Sequence, residues 1–323
     1  MTHYELLTMG RISVDVYPND IGVGLEDVTS FGKYLGGSPA NVAVAAAKYG
    51  HKTSVITRVG NDPFGTYLRR ELNRYGADDA NVTVDSNLQT CVTFCAIKPP
   101  EDFPLYFYGR FPTAPDLQIT ADDIDMEAVK NATIFWTTLT GMCQEPARSA
   151  QLAAHEARGR DNLAEGQHTI LDLDYRPMFW EKLEEATAAA QELLKYATIA
   201  IGNREECAVA VGDGTPDEQA DRLLAAGVKI AVVKMGAEGV MAKTATERVV
   251  SAPTPVETAN GLGAGDSFGG AFTHGILSGW PLENALTFAN AAGAIVASQI
   301  ACSEAMPQEQ DVMDFLNDRN RGF

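Results

Sequence analysis

Short apolar runs separated by helical stretches recur along most of this chain, and that alternation restricts its fold more than any other feature. Tyr4 to Met9, Thr53 to Val59, Ile134 to Thr137, Thr169 to Leu173, Thr198 to Ile201 and Ile230 to Val233 read as short buried strands. Pro39 to Tyr49 is alanine-rich with a helical pattern, and Phe179 to Lys195 and Asp217 to Ala226 are helical stretches as well. Strands alternating with helices argue for a mostly parallel sheet covered on both faces, hence a layered α/β/α fold. With 323 residues, 45% of them hydrophobic, the chain can bury one large core, or one core with a small appendage.

Two segments break the rhythm. Ile12 to Tyr34 and Gln89 to Arg110 are rich in β-formers, aromatics and turn residues, with no helical period. They are expected to pair into one small sheet, a lid formed by residues 12–34 and 89–110 on an α/β domain of residues 1–11, 35–88 and 111–323. Such a lid excludes water from a reaction beneath it. The plainer alternative is a pair of edge hairpins without a gating role.

Near the C-terminal end, Asn260-Gly261-Leu262-Gly263-Ala264-Gly265-Asp266 precedes a helical stretch. Gly263 and Gly265 carry no Cβ, so the backbone around Ala264 can approach a ligand closely and the helix N–H groups can point at a phosphate oxygen. Asp266 stands at the same opening, suited to accept a proton from an alcohol that attacks a phosphoryl group. The plainer reading is a glycine-rich turn with an aspartate capping the helix. Gly36-Gly37-Ser38-Pro39-Ala40-Asn41 also precedes a helix; its glycines permit close approach, and the Asn41 amide can donate to and accept from sugar hydroxyls. Asp15, just after the first strand, can accept hydrogen bonds from substrate hydroxyls, or is an ordinary turn residue.

Charge and composition exclude several classes. A formal net charge of -18 repels nucleic acid phosphates and acidic lipid headgroups, so neither a nucleic acid nor a membrane is an expected partner. The 5 cysteines show no zinc-ribbon spacing and read as packing thiols of a reducing compartment. No apolar run is long enough to span a bilayer, and Met1 to Glu5 has no basic segment feeding an apolar one, so the expected location is the cytoplasm.

Taken together, Gly36 to Gly50 and Gly263 to Asp266 resemble the two signatures of the ribokinase-like (PfkB) carbohydrate kinases, in order and at the proper separation. The resemblance runs over essentially the whole chain. It implies a three-layer α/β/α sandwich with a β-sheet lid, and use of ATP with magnesium to phosphorylate an alcohol of a sugar or sugar acid. It further implies Asp266 as catalytic base, with Gly263, Ala264 and Gly265 as anion hole. Gly36, Gly37, Asn41 and Asp15 would face the sugar. Asn203-Arg204-Glu205-Glu206 matches the family's Asn-x-x-Glu element, which implies that Asn203 organises the phosphates and Glu206 the Mg2+, through water. Lys234, Gly236 and Gly239 resemble the nucleotide loop, and Asn290 falls where the family approaches adenine.

Asn260-Gly261-Leu262 stands where most relatives carry Asp-Thr-Thr, and this looks like the branch acting on 5-dehydro-2-deoxygluconate in inositol catabolism. Gly10 to Pro18, Leu171 to Pro177 and Cys302 to Pro307 resemble the same branch. The departure leaves K+ activation open, since carbonyl oxygens that hold a monovalent cation need no particular side chain. An acid sugar needs a cation for its carboxylate. Arg110, separated by Gly109 from Tyr108 where relatives acting on keto-deoxy sugar acids have Tyr-Arg adjacent, and Arg176 are the candidates. The alternatives are a 2-keto-3-deoxygluconate kinase, a fructokinase or ribokinase type, or a sugar-binding sensor on the same fold. Family lids pair across a two-fold axis, which implies a homodimer.

Overall fold

The structure, a computed structural model, describes residues 3–98 and 103–319. Its strands are β1 (Leu6–Met9), β2 (Ser13–Pro18), β3 (Phe31–Gly36), β4 (Thr53–Gly60), β5 (Ala77–Asp78), β6 (Val82–Asp85), β7 (Val92–Cys95), β8 (Leu105–Tyr108), β9 (Ile134–Thr138), β10 (His168–Asp172), β11 (Ile199–Asn203), β12 (Ile230–Lys234), β13 (Val240–Lys243) and β14 (Arg248–Ser251). Its α-helices are α1 (Ser38–Lys48), α2 (Pro63–Arg74), α3 (Met126–Asn131), α4 (Ala147–Arg158), α5 (Leu183–Leu194), α6 (Arg204–Val211), α7 (Pro216–Ala225), α8 (Ala264–Leu277), α9 (Leu282–Ala297) and α10 (Glu309–Asn317).

Among the described residues the larger sheet has 10 strands in the order β14-β13-β12-β11-β10-β9-β1-β4-β5, with β6 also on β4. Every pairing from β12 to β5 is parallel; among the described residues the antiparallel pairs of this sheet are β12 with β13 and β13 with β14. Because successive strand residues point to opposite faces, the apolar runs feed two cores at once. Ile170, Ile199 and Val232 enter the core beneath α1, α8 and α9, while their neighbours Leu171, Ala200 and Val233 enter the core beneath α5, α6 and α7. Burying each of the larger side chains stabilises the fold by about 1.5–3 kcal/mol. The expected parallel sheet with helices on both faces is what forms.

The core under α8 sets the position of the site. A Cβ on Gly269 would lie 2.7 Å from Trp136, and one on Gly270 would lie 2.3 Å from Ala45. The paired glycines therefore let α8 settle directly against the sheet and α1, with its N-terminus at the ends of the parallel strands. One helix starts later than its pattern predicts. Pro177–Phe179 form a separate 3-10 turn and α5 begins at Leu183, because the Phe179 ring is held against Phe107, 4.9 Å between centroids.

The two irregular segments do pair. Their strands form a second sheet in the order β3-β2-β7-β8, with β2 parallel to β7 and the other pairs antiparallel. Val14, Leu35 and Val92 pair across it and pack toward α1, α2 and β4, whereas Asp15 and Thr93, also paired, present the opposite face. β3 runs to Gly36, two residues past the expected boundary of the segment, and residues 99–102 of the other segment lie outside the described residues. No helix among the described residues is long and apolar enough to cross a membrane. Cys91, Cys143, Cys207 and Cys302 are free thiols.

Candidate active site

The start of α8 is the centre of the site. Gly263 caps the helix with φ 78, a left-handed conformation that other residues adopt at a cost, and a Cβ there would lie 2.7 Å from Cys302 Sγ. The first intrahelical bond runs from Ser267 N to Gly263 O at 2.8 Å. The N–H groups of Ala264, Gly265 and Asp266 therefore have no helical carbonyl to bond, and they carry the positive end of the helix dipole. Lys234 Nζ sits 3.5 Å from where a Gly265 side chain would begin, adding a full charge to the same point.

Asp266 lies in that first turn. Asn41 Nδ2, on the first turn of α1, donates to its Oδ2 at 2.7 Å, and Asn41 Oδ1 in turn accepts from Ser303 Oγ at 2.6 Å. Burial pushes the Asp266 carboxyl above the ordinary aspartate range, while the Asn41 donor pulls against it. Asp266 thus has the location and raised basicity that a general base requires.

Two cavities meet here. One, of about 200 Å³, opens in front of Asp266 under the second sheet; the other, of about 380 Å³, lies between α9 and the β12–β13 turn. Lys234 and Gly265 belong to the walls of both. The second cavity is edged by Gly236 and Gly239, with φ 61 and 92, and by apolar side chains including Val240, Val256 and Phe268, a shape suited to a flat ring. Asn290 also lines it, with Nδ2 bound to Ala252 O at 2.6 Å.

The first cavity is strongly charged. Asp15, Asp172, Asp174, Glu206 and Asp266 face Arg11, Arg176 and Lys234. Burial raises Asp172 to about 8, with Lys234 pulling down and Glu206, Asp174 and Asp266 pushing further up. For Lys234, burial works against the charged form, but Glu206, Asp172, Asp266 and Asp174 outweigh it and hold the ammonium above the usual lysine value. Asp15 accepts from Ser13 Oγ at 2.8 Å and from Tyr17 OH at 2.7 Å, and burial raises it too. The Tyr17 hydroxyl also lies 2.9 Å from Cys302 Sγ.

Asp15, Gly37, Asn41, Arg176, Glu206, Lys234, Gly263, Gly265 and Asp266 all come together on the first cavity. Ala264, Gly236, Gly239 and Asn290 lie on the second. Four expectations need correction. Arg110 does not reach either cavity: it is 1% exposed, its Nη1 donates to both Asp116 oxygens at 3.0 and 2.8 Å, and its guanidinium stands 4.4 Å over the Phe179 ring. Tyr108 is 60% exposed, its ring edge-on to Phe94, because Gly109 turns the chain with φ 74 at the strand end. Gly36 does not touch the cavity; a Cβ there would fall 2.0 Å from the Asp15 carboxyl carbon, so it makes room for that carboxylate. Asn203 lines neither cavity and instead caps α6, accepting from Glu206 N at 2.8 Å while Glu206 Oε2 accepts from Asn203 N at 2.7 Å.

Sequence reasoning assigned no role to Arg11, Tyr17, Thr93, Asp172, Asp174 or Cys302, all of which line the first cavity. The signal was that five of them lie in or beside the three stretches, Gly10 to Pro18, Leu171 to Pro177 and Cys302 to Pro307, that resemble one branch of carbohydrate kinases.

Comparison with known proteins bears on this arrangement. The model of the pfkB family carbohydrate kinases matches residues 4–309. A 5-dehydro-2-deoxygluconokinase of Clostridium perfringens is 33% identical over 319 residues, 97% of this chain and 93% of that protein. One of Geobacillus kaustophilus is 32% identical over 98% of this chain and 95% of its own length. Among solved structures, a ribokinase II from E. coli in complex with ATP and Mg2+ superposes with a TM-score of 0.88 at 24% identity, covering 98% of this chain and 99% of that one. A fructokinase from Xylella fastidiosa with bound ATP gives 0.85 at 21% identity over the same shares. The chain belongs to the pfkB family of carbohydrate kinases and is a phosphotransferase acting on a sugar hydroxyl.

Proposed function

We propose that this enzyme transfers the γ-phosphoryl group of ATP to the terminal hydroxyl of 5-dehydro-2-deoxy-D-gluconate in the cytoplasmic breakdown of inositol. The observation that carries the reading is the half-buried Asp266 carboxylate on the first turn of α8, beside Gly265 and Lys234, which border both cavities. The relatives named for that activity and the cations of the first cavity support a sugar acid as acceptor.

The acceptor sugar lies in the first cavity, with Asp15, Asn41 and the Gly37 backbone around its hydroxyls, and ATP lies in the second. Asp266 takes the proton of the terminal hydroxyl as its oxygen attacks the γ-phosphorus. The new P–O bond forms while the bond to the β-phosphate oxygen breaks, and ADP leaves. The N–H groups at Gly263, Ala264 and Gly265, with the Lys234 ammonium, stabilise the charge on the transferred group. The second sheet keeps water, the competing acceptor, out of the first cavity.

Glu206 and Asp172 beside Lys234 fit a hard cation held by one or two carboxylates through water; no group of three or more such ligands converges among the described residues. Magnesium bound there supplies neutralisation of the phosphate charge. Potassium activation stays open; main-chain carbonyls near Asn260 would hold the ion. The exposed rings of Phe31, Tyr106 and Tyr108 on the second sheet support a homodimer through that sheet.

The test is a panel of acceptors with ADP release as readout. The expected result is the highest kcat/KM on 5-dehydro-2-deoxygluconate. Equal values on fructose and the keto acids reject the substrate, a higher value on 2-keto-3-deoxygluconate selects that kinase instead, and no ADP release with any sugar favours a sensor.

A further inference from the structure

Three cations reach the acceptor cavity, and two of them already face a protein carboxylate. Arg176 holds Asp174 at 2.9 Å with its side chain 38% exposed, and Lys234 lies 3.9 Å from Glu206 at the boundary with the second cavity. Arg11 differs from both. It is 8% exposed and, among the described residues, no carboxylate stands within ion-pair distance of it. Its Nη1 donates to Ser13 Oγ at 3.2 Å, and Ser13 passes the contact on to Asp15, so the nearest carboxylate is reached only through a hydroxyl. Its Nε has no hydrogen-bond partner.

A buried guanidinium edge without an acceptor is costly unless something outside the chain completes it. The Arg11 guanidinium stands 5.3 Å over the Phe107 ring, which fixes its position on the second-sheet side of the cavity. Thr93, 1% exposed on β7, leaves its Oγ1 unpartnered on the same cavity wall. Arg11 and Thr93 both line the acceptor cavity, and a planar fork and a hydroxyl donor match the two oxygens of a carboxylate.

Resting on the sugar-acid reading above, we infer that Arg11, with Thr93 as a second donor, binds the acceptor's carboxylate and is the residue that selects acid sugars over neutral ones. Arg176 instead orients Asp174, and Arg110 is sealed against Asp116. The substrate then lies with its acid end under the second sheet and its terminal hydroxyl at Asp266.

The experiment measures calorimetric binding of the sugar acid and of its neutral carboxamide, without nucleotide, to the wild-type enzyme and to Arg11→Met. Wild type is expected to prefer the acid; in Arg11→Met acid binding falls roughly 10- to 100-fold, as for loss of a charged hydrogen bond. The carboxamide is affected little, so the preference disappears, while ATP binding is unchanged. Arg11→Lys, which keeps the charge and loses the fork, gives an intermediate preference and serves as the test if the methionine variant does not fold. A wild type that binds acid and carboxamide equally ends the sugar-acid reading and this inference together. A wild-type preference that survives in Arg11→Met or Arg11→Lys at full size ends this inference alone.

Discussion

Asn41 and Asp266 are 225 positions apart in the chain, and their side chains meet at 2.7 Å. The amide has only one way to lie. Its oxygen accepts from Ser303 Oγ at 2.6 Å, which turns its NH2 toward the carboxylate. The helices α1 and α8, packed through Gly270 and Ala45, bring the two together. Three separate segments thus hold one rotamer of one acid.

Asp266→Asn removes the proposed base and keeps the shape. Turnover is expected to fall by roughly two to four orders of magnitude, with ATP affinity retained. Steady-state kinetics and nucleotide titration check this; near-normal turnover would remove Asp266 from the chemistry.

With Asp266 as the proposed base, the same pair is expected to set the acid limb of the rate. Burial lifts the Asp266 pKa, a base must be ionised, and kcat/KM therefore declines as pH drops through that raised value. Asn41 favours the ionised form, so Asn41→Leu is expected to move the acid limb to higher pH. A limb that stays in place or moves to lower pH, measured as kcat/KM against pH, would contradict the role of this contact.

Gly263→Ala meets two penalties that can be separated. The left-handed backbone at φ 78 costs about 1–2 kcal/mol for a residue with a Cβ, and the new methyl would crowd Cys302 Sγ. Cys302→Ala in the same chain is expected to relieve the crowding and leave the backbone penalty. Denaturant unfolding of the single and double variants distinguishes the two contributions; complete recovery in the double variant would mean the backbone carries no strain.

Arg110 and Asp116 are both buried, so breaking the pair strands a charge. Arg110→Met is expected to destabilise the fold by about 3–5 kcal/mol, and Arg110→Met with Asp116→Leu to recover much of that loss. The acceptor KM stays unchanged in the folded double variant. A raised acceptor KM would restore Arg110 as a substrate ligand.

The parallel strands are legible in the sequence because their residues are apolar on both faces, as at Ile170 and Leu171, which enter different cores. Gly263, Gly265 and Asp266 are legible because a helix start that binds anions demands small residues and a flanking acid in one short stretch. Arginines are another matter. Nothing in Tyr108-Gly109-Arg110 announces Asp116, and nothing next to Arg11 announces that it has no carboxylate of its own. Which acid an arginine meets is decided by tertiary packing, and so is the role it is left to play. The late start of α5 has the same origin: the helical period runs through Phe179, but a ring on the second sheet claims that side chain.

Among the described residues the two cavities share Lys234 and Gly265 alone, and this has a consequence for how such a chain can diversify. On the proposed assignment, most acceptor contacts come from residues 11–206, ahead of β12, and donor contacts from β12 through α9. Drift ahead of β12 can retune which molecule is modified while the energy source stays the same, whereas any change at the two common positions disturbs both ligands together.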